Sequence, residues 1–220
     1  CDFAGSLAVL QHAGISRTAL WTPMIESCGI AEARRIWNDS DMVAESLCVA
    51  CLFEGEVALR HRLDLADMFG ARTLVLITGG FEDLAATGYS GGIEHARSLL
   101  IERLGAAAEL ATDHRVRLAF EPLHPMVCGF RSVVSSLGEA LDILDHLDDG
   151  HDIGLAIDAY ALWWEHDLAA KLMRAGDRIL NYHVSDWLSD TRDLRLDRGM
   201  PGDGQIALRD WRRMIEAAGY

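Results

Sequence analysis

Two spacings of apolar residues alternate along this chain. In some segments they recur every three or four positions, as in a helix with one buried face, and in others they form short unbroken runs, as in a buried strand. The helical spacing is clear where Leu59, Leu63 and Phe69 share one face and Gly70 follows as a C-terminal stop. We predict helices over residues 6–13, 30–37, 56–69, 93–111, 137–147, 167–175 and 208–218.

The short apolar runs fall between these helices. We predict strands over residues 17–21, 42–48, 73–77, 116–120, 153–157 and 179–184, and a polar loop over residues 188–205. Strands that alternate with helices, without hairpins, are typical of a parallel α/β sheet. No Gly-x-Gly-x-x-Gly follows any predicted strand, which disfavours an open doubly wound sheet that binds dinucleotides. The pattern therefore favours an α/β barrel.

Three successive predicted strands finish in a polar side chain: Glu121, Asp158 and His183. Pro122 and Pro125 prevent further strand pairing after Glu121. A carboxylate at the end of a buried strand is costly unless something cationic meets it. The carboxyl ends of parallel strands meet at one end of a barrel, where ligands bind, so we expect these three side chains to converge there.

Composition narrows the classes of protein. A chain of 220 residues, half of them hydrophobic, fits one domain with a sizeable core. The net charge of −14 would repel a phosphate backbone, so we expect no nucleic-acid partner. No apolar run approaches the roughly 20 residues of a membrane span, and no secretory leader pattern opens the chain. We therefore expect a cytoplasmic protein without a membrane partner.

The cysteines do not indicate a disulfide framework, because they are odd in number and scattered. They are Cys1, Cys28, Cys48, Cys51 and Cys128. Cys48-Val-Ala-Cys51 has the spacing of a redox or zinc motif, but no second such pair exists. We interpret these two as ordinary cysteines at the end of a strand.

Four motifs, taken together and in this order, resemble a known family. They are Glu121-Pro-Leu-His-Pro, Asp158-x-Tyr-x-x-Trp-Trp, His183-x-x-Asp186 and Arg198-Gly-Met-Pro-Gly-Asp-Gly. The chain is similar to the sugar phosphate isomerase/epimerase family of the xylose isomerase-like TIM barrel superfamily. That resemblance covers nearly the whole chain. It implies a single (β/α)8 TIM barrel domain over residues 1–220.

The resemblance also implies a divalent metal, bound by Glu, Asp, His and a second Glu near strand ends. The first three ligands correspond to Glu121, Asp158 and His183. An oxygen-rich set with one imidazole favours Mn²⁺, with Mg²⁺, Co²⁺ or Zn²⁺ as alternatives. The metal would act as a Lewis acid on a sugar carbonyl, and Glu121 would remove the neighbouring carbon-bound proton. The structural alternative is a salt-bridged carboxylate for Glu121 and Asp158, and a core histidine for His183.

Four further residues are candidate substrate contacts, each with a structural alternative. His124 is either a substrate contact or a loop histidine, and Arg198 either holds a hydroxyl or phosphate or forms a surface ion pair. Asp186 either orients substrate or caps a turn. Trp163 either walls the pocket or packs in the core. Arg131 and Ser132 are weaker candidates for binding a phosphate.

Two departures from the family pattern affect these expectations. Only six strands are predicted, so we expect a barrel that lacks its first and last strands, and with them the second glutamate. Such a chain would expose sheet edges, and we expect it to be poorly soluble, or a homo-oligomer, and essentially inactive as an epimerase. Many relatives place a substrate-binding His three residues after the metal Asp, but this chain has Ala161 there.

The function that we predict is metal-dependent isomerisation or epimerisation of a sugar or sugar phosphate. A dehydratase of inositol-type ketones remains an alternative, because it also begins with proton removal next to a carbonyl. A catalytically inactive sugar-binding barrel is another, motivated by Ala161. A phosphodiesterase like the abasic-site endonucleases shares the scaffold, but the acidic charge and the single strand-end histidine argue against it.

Overall fold

The computed structural model describes residues 2–147 and 151–220. Six parallel strands form one curved sheet in sequence order, and each strand pairs with the next. They are β1 (Arg17–Trp21), β2 (Val43–Cys51), β3 (Thr73–Ile77), β4 (Arg117–Phe120), β5 (Ile153–Asp158) and β6 (Ile179–His183). Within the described residues β1 and β6 do not pair, so the curved sheet is not closed and forms an open part of a barrel. The predicted fold class, a TIM barrel with six of its strands, is confirmed.

Ten α-helices occur in the described residues. They are α1 (Phe3–His12), α2 (Thr22–Cys28), α3 (Ile30–Asn38), α4 (Glu56–Phe69), α5 (Phe81–Ala85), α6 (Ile93–Asp113), α7 (Leu137–Asp145), α8 (Ala159–Leu162), α9 (Leu168–Ala175) and α10 (Leu208–Ala218). The seven predicted helices are all present, with bounds that differ by at most three residues. The sequence prediction missed α2, α5 and α8, because helices of four to seven residues are too short to show the helical period.

The apolar core lies mainly between the sheet and its helices. Alternate residues of β4 point to opposite faces, so Leu118 and Phe120 pack towards the helices whereas Ala119 packs inside the barrel. The interior cluster is small: Val75, Ala119 and Ala156 form it. Small side chains at this level leave space further along the strands, at their carboxyl ends.

The segment after β6 is more ordered than a polar loop. Two short strands, β7 (Asp186–Trp187) and β8 (Arg198–Gly199), pair in the antiparallel direction. The expectation of no hairpins was therefore wrong here, and the predicted polar loop over residues 188–205 was wrong at Arg198–Gly199, whereas Asp186–Trp187 lies just before it. Strands of two residues are too short for an alternating pattern, so the sequence carried no signal for them.

Asp186 fixes this segment through its carboxylate. Its Oδ1 accepts hydrogen bonds from the backbone N–H groups of Trp187 and Ile206, both 2.9 Å, and its Oδ2 accepts from that of Gly202, also 2.9 Å. At Gly204 an added Cβ would lie 2.3 Å from the carbonyl oxygen of Trp187, so only glycine fits there. The result is a fixed hairpin segment, residues 186–206, beside the carboxyl ends of the strands.

None of the helices in the described part of the chain is long and apolar enough to cross a membrane.

Candidate functional site

Glu121 and His183 meet at the carboxyl ends of β4 and β6. The Glu121 backbone N–H bonds to the carbonyl oxygen of Leu76 at 2.9 Å, which continues the β3–β4 ladder and fixes the side chain next to the barrel interior. A hydrogen bond of 3.1 Å joins Nδ1 of His183, as donor, to Oε1 of Glu121. Glu121 is only 8% exposed, so this contact is largely shielded from water.

Asp158 ends β5, in register with His183 on β6. It is 2% exposed, and its Oδ1 accepts a hydrogen bond from the backbone N–H of Tyr160 at 2.9 Å. Its Oδ2 accepts one from Nη1 of Arg198 at 2.8 Å. Burial raises the pKa of the Asp158 carboxyl, and the guanidinium of Arg198 opposes that rise. The sequence-predicted site residues Glu121, Asp158, His183 and Arg198 are therefore neighbours.

His183 lies in an environment that favours its protonated form. Burial opposes protonation, but the neighbouring side chains of Cys48 and Glu121 favour it and raise the pKa above its ordinary value. The other ring nitrogen, Nε2, is buried and has no hydrogen-bond partner in the described residues. A buried polar atom without a partner is costly, so in the protonated ring this nitrogen lacks an acceptor, and once it loses its proton it can bind a cation.

The donor types fit a divalent cation, since two carboxylates and an imidazole suit Mn²⁺, Mg²⁺ or Zn²⁺. In the part of the chain that the structure describes, however, no three His, Cys, Asp or Glu side chains form a group that could hold a metal ion. The contacts explain this, because Glu121 faces His183 whereas Asp158 faces Arg198. A cation bound by all three side chains would compete with Arg198 for the Asp158 carboxylate.

Aromatic rings form a wall beside these residues. The His124 ring stacks on Trp187 with centroids 5.1 Å apart and also contacts Trp164. Trp187 in turn contacts Tyr160 and Trp163. Burial lowers the pKa of His124, and its Nδ1 accepts a hydrogen bond from the backbone N–H of Met126, so the ring is neutral at pH 7. The predicted contacts His124 and Trp163 thus belong to one aromatic cluster.

A cavity of about 450 Å³ opens next to this wall. That volume suits a small molecule rather than a macromolecule. Its lining includes His124, Tyr160, Ala161 and Arg198, so Ala161 does face the space where the family pattern would place a histidine. A second cavity of about 480 Å³ lies at the amino ends of β4 and β5, beside Arg117 and Ile153. In TIM barrels that end serves stability rather than chemistry.

The structure also places Asp186, Ser132 and Arg131, three further candidates from the sequence. The Asp186 carboxylate is fully buried and bonded to backbone N–H groups, so a direct substrate contact would have to break one of these bonds. Ser132 is also fully buried, and its Oγ donates to the carbonyl oxygen of Val134 at 2.7 Å. Arg131 is half-buried and lines the cavity.

Tyr160, Trp187, Arg192 and Arg195 also lie at the cavity or its wall, and the sequence analysis assigned them no role. Tyr160 stood inside a quoted motif, and Trp187 directly follows Asp186. The two arginines were visible only as part of a charged segment, residues 192–198. Nothing in the sequence of that segment indicated whether these side chains would lie at the cavity or away from it.

The cysteines have no redox pairing in the structure. Cys28, Cys48, Cys51 and Cys128 are free thiols, and Cys1 lies outside the described residues. Burial raises the pKa of Cys51 to about 11, so this thiol stays protonated at neutral pH. Both properties agree with the interpretation of Cys48 and Cys51 as ordinary cysteines at the end of a strand.

Comparisons with known proteins place this geometry in a family. Residues 57–220 match the family model described as xylose isomerase-like TIM barrel. Protein SMc04130 from Sinorhizobium meliloti 1021 is 39% identical over all of this chain and 82% of its own, with a TM-score of 0.88. No curated protein matches the chain.

Two more distant structures share the fold. The IolI protein, solved with a bound zinc atom, is 15% identical, with a TM-score of 0.77 over all of this chain and 81% of its own. The 3-keto-D-glucoside 4-epimerase YcjR from E. coli, solved in its apo form, is 14% identical, with a TM-score of 0.75 over all of this chain and 84% of its own. At these identities the likeness concerns the fold alone.

Proposed function

This chain belongs to the xylose isomerase-like TIM barrel family, and on that premise we propose that it is a sugar isomerase or epimerase. The reaction would begin by removing a proton from a carbon next to a carbonyl group. One observation carries the proposal: Glu121, Asp158 and His183 lie at the carboxyl ends of neighbouring strands, and Arg198, the partner of Asp158, lines a cavity of small-molecule size. A buried carboxylate facing an imidazole is a suitable arrangement for moving a proton.

Glu121 is the proposed base. Its Oε1 accepts a hydrogen bond from Nδ1 of His183, which fixes the orientation of the carboxylate. Low exposure keeps water from competing with the substrate for that carboxylate. The aromatic wall around His124 would cover one side of the sugar, and Arg198, which stacks on Tyr160 of that wall, would contact a hydroxyl.

We propose that Glu121, Asp158 and His183 bind a divalent cation, and Mn²⁺ is the metal that we favour. When bound, it would polarise the substrate carbonyl and make the neighbouring proton more acidic. Support comes from the donor types, the partnerless Nε2 of His183 and the zinc that IolI holds. The chain's own part is to supply two carboxylates and an imidazole nitrogen, so His183 would have to give up its proton and the cation would compete with Arg198 for Asp158.

Two alternatives from the sequence remain. A dehydratase of inositol-type ketones would use the same base, and product analysis separates the two. A sugar-binding barrel without catalysis is favoured by one specific observation: Ala161 lines the cavity where related chains carry a histidine. An abasic-site phosphodiesterase is less compatible with a small cavity in a chain of net charge −14.

The test is proton exchange between a panel of sugars and deuterated water, with Mn²⁺ added. We expect deuterium to enter the substrate carbon next to the carbonyl, and Glu121→Gln to slow this by about 100-fold or more. Glu109→Gln, at an exposed position on α6, is the matched control and should leave the rate unchanged. Binding of a sugar without any exchange in the parent protein would favour the binding barrel instead.

A further inference from the structure

Four arginines line the cavity beside the aromatic wall: Arg131, Arg192, Arg195 and Arg198. The chain as a whole carries 34 acidic and 20 basic residues, so a cationic cavity runs against the average charge of the protein. Arginine is almost the only basic residue that this chain uses, since Lys171 is its one lysine. Finding arginine rather than lysine at the cavity is therefore not informative, whereas the concentration of positive charge there is.

Three of these arginines have no acidic partner. Within the described residues, the guanidinium groups of Arg131, Arg192 and Arg195 form no ion pair and no hydrogen bond, whereas Arg198 pairs with Asp158. Arginines elsewhere in the chain commonly pair with a carboxylate, as Arg174 does with Asp142. Three unpaired guanidiniums at one cavity leave a local excess of positive charge, which Asp193 in the lining and the nearby Asp197 and Glu121 offset only in part.

The carboxylates nearest to them are already bonded to backbone N–H groups. The Oδ1 of Asp193 accepts from the N–H groups of Arg195 and Leu196, at 2.8 and 2.9 Å. The Oδ2 of Asp197 accepts from those of Arg192 and Asp193, at 2.9 and 3.1 Å. These bonds shape the loop that carries two of the arginines. The acids therefore position these arginines through the backbone and offset part of their charge, as Asp197 does for Arg192, without forming an ion pair.

Like charges surround Arg131 at this cavity. Burial lowers the pKa of this guanidinium, and the like charges of Arg195 and Arg198 lower it further, while Glu121 opposes them. Arg131 thus lies within electrostatic range of both the loop arginine and the proposed base. A second buried group is also without a partner: Tyr160 is 1% exposed, lines the same cavity, and its hydroxyl forms no hydrogen bond in the described residues.

We propose that this cavity binds an anionic oxygen group carried by the substrate, a phosphate monoester or a carboxylate, through Arg131, Arg192 and Arg195. Guanidinium groups bind such oxygens through paired charge-assisted hydrogen bonds. An anion here would balance the unpaired charge and offer an acceptor to the Tyr160 hydroxyl. The identity of the rest of the substrate rests on the proposed function, but the anion site itself does not.

Calorimetric titration of the chain with inorganic phosphate tests the site without any turnover. Arg131→Gln and Arg195→Gln should each weaken phosphate binding by about tenfold, because each removes a charge-assisted contact. Arg34→Gln is the matched control: Arg34 is exposed on α3, forms no ion pair within the described residues, and its loss changes the net charge equally. Arg195 is exposed on a loop, so its replacement should preserve the fold, and circular dichroism checks this.

Equal binding by the parent, Arg131→Gln and Arg195→Gln would overturn the proposal, as would equal weakening by Arg34→Gln. Titrating the chain with a sugar phosphate and with a sugar acid distinguishes the two sources of the anion, and competition shows that the binder uses this site. Inorganic phosphate should displace a sugar phosphate or a sugar acid, whichever binds, and should not displace the neutral sugar. Phosphate binding that persists in a chain without proton exchange would leave this site standing while the isomerase proposal fails. Proton exchange on neutral sugars alone, with no phosphate binding, would support the isomerase proposal and overturn the anion site.

Discussion

Nη1 of Arg198 lies 2.8 Å from Oδ2 of Asp158, so a guanidinium from the hairpin segment holds the carboxylate that ends β5. The same guanidinium lies 4.3 Å above the Tyr160 ring, in a cation–π contact. The Asp158 carboxylate is almost completely buried, and the Arg198 side chain is 39% exposed. This pair joins the proposed metal site to the cavity wall, and a cation bound at Oδ2 would compete with Arg198 for that oxygen.

Arg198→Ala tests this competition. Without a metal the variant should be less stable by roughly 1–3 kcal/mol, because it leaves a buried carboxylate without its partner, discounted for the exposure of Arg198. With Mn²⁺ the loss should shrink, because the cation replaces the guanidinium. Thermal unfolding with and without Mn²⁺ measures both. Arg213→Ala, which breaks an exposed pair with Asp210, is the control and should respond equally in the two conditions. A variant that gains nothing from Mn²⁺ would contradict the competition.

His183→Ala should lower the retained metal. The imidazole is one of three proposed ligands, so its loss should reduce the Mn²⁺ or Co²⁺ kept after dialysis by about tenfold or more. Metal analysis of the dialysed protein gives the ratio directly. His12→Ala, at an exposed position at the end of α1, is the control. If the His183 variant keeps as much metal as the parent, the ligand assignment is wrong.

Asp186→Asn should destabilise the hairpin segment. The amide would present N–H groups where the carboxylate accepts hydrogen bonds, leaving at least one buried backbone N–H unpaired. We expect a loss of about 2–4 kcal/mol in the free energy of unfolding, measured by urea titration. Asp190→Asn, at an exposed position in the same segment, should change it by less than about 0.5 kcal/mol. A segment that keeps its stability in both variants would show that Asp186 does not hold it.

The same carboxylate predicts a pH dependence. Burial raises the pKa of Asp186, but hydrogen bonds from the backbone N–H groups of Ile206, Gly202, Gly204 and Trp187 outweigh it and lower the pKa below its ordinary value. A lowered folded-state pKa contributes stability that is full above the unfolded value of about 3.9 and is lost as pH falls through the folded value. The parent should therefore lose stability in this acid range more steeply than Asp186→Asn. Urea titrations between pH 6 and pH 2.5 check the difference, and parallel curves would contradict it.

Ala161→His should alter which sugars bind. Ala161 is 3% exposed and lines the cavity, so an imidazole there would occupy ligand space and add a hydrogen-bonding group. The extra volume should also cost about 1–3 kcal/mol of stability. Binding constants for a panel of sugars, compared with the parent, measure the change. An identical preference in the variant would mean that substrate does not reach this position.

Some of the site followed from local patterns. Apolar runs ending in Glu121, Asp158 and His183 placed these residues at strand ends, and parallel connections brought the strand ends together, as the structure shows. The hairpin segment did not follow. Its two strands have two residues each, and its shape depends on one carboxylate that reaches backbone groups up to 20 residues away.

The sequence by itself determined the order of helices and strands, the parallel sheet and the end of that sheet where polar side chains gather. These properties depend on periodicity within about 20 residues, which a single sequence displays directly. Only the tertiary structure decided that Arg198 pairs with Asp158, 40 positions away, and that Arg131 shares a cavity with arginines of the hairpin segment. Such contacts depend on where a loop folds back onto the barrel. Side chains that are equally charged in the sequence become paired or unpaired only through that packing.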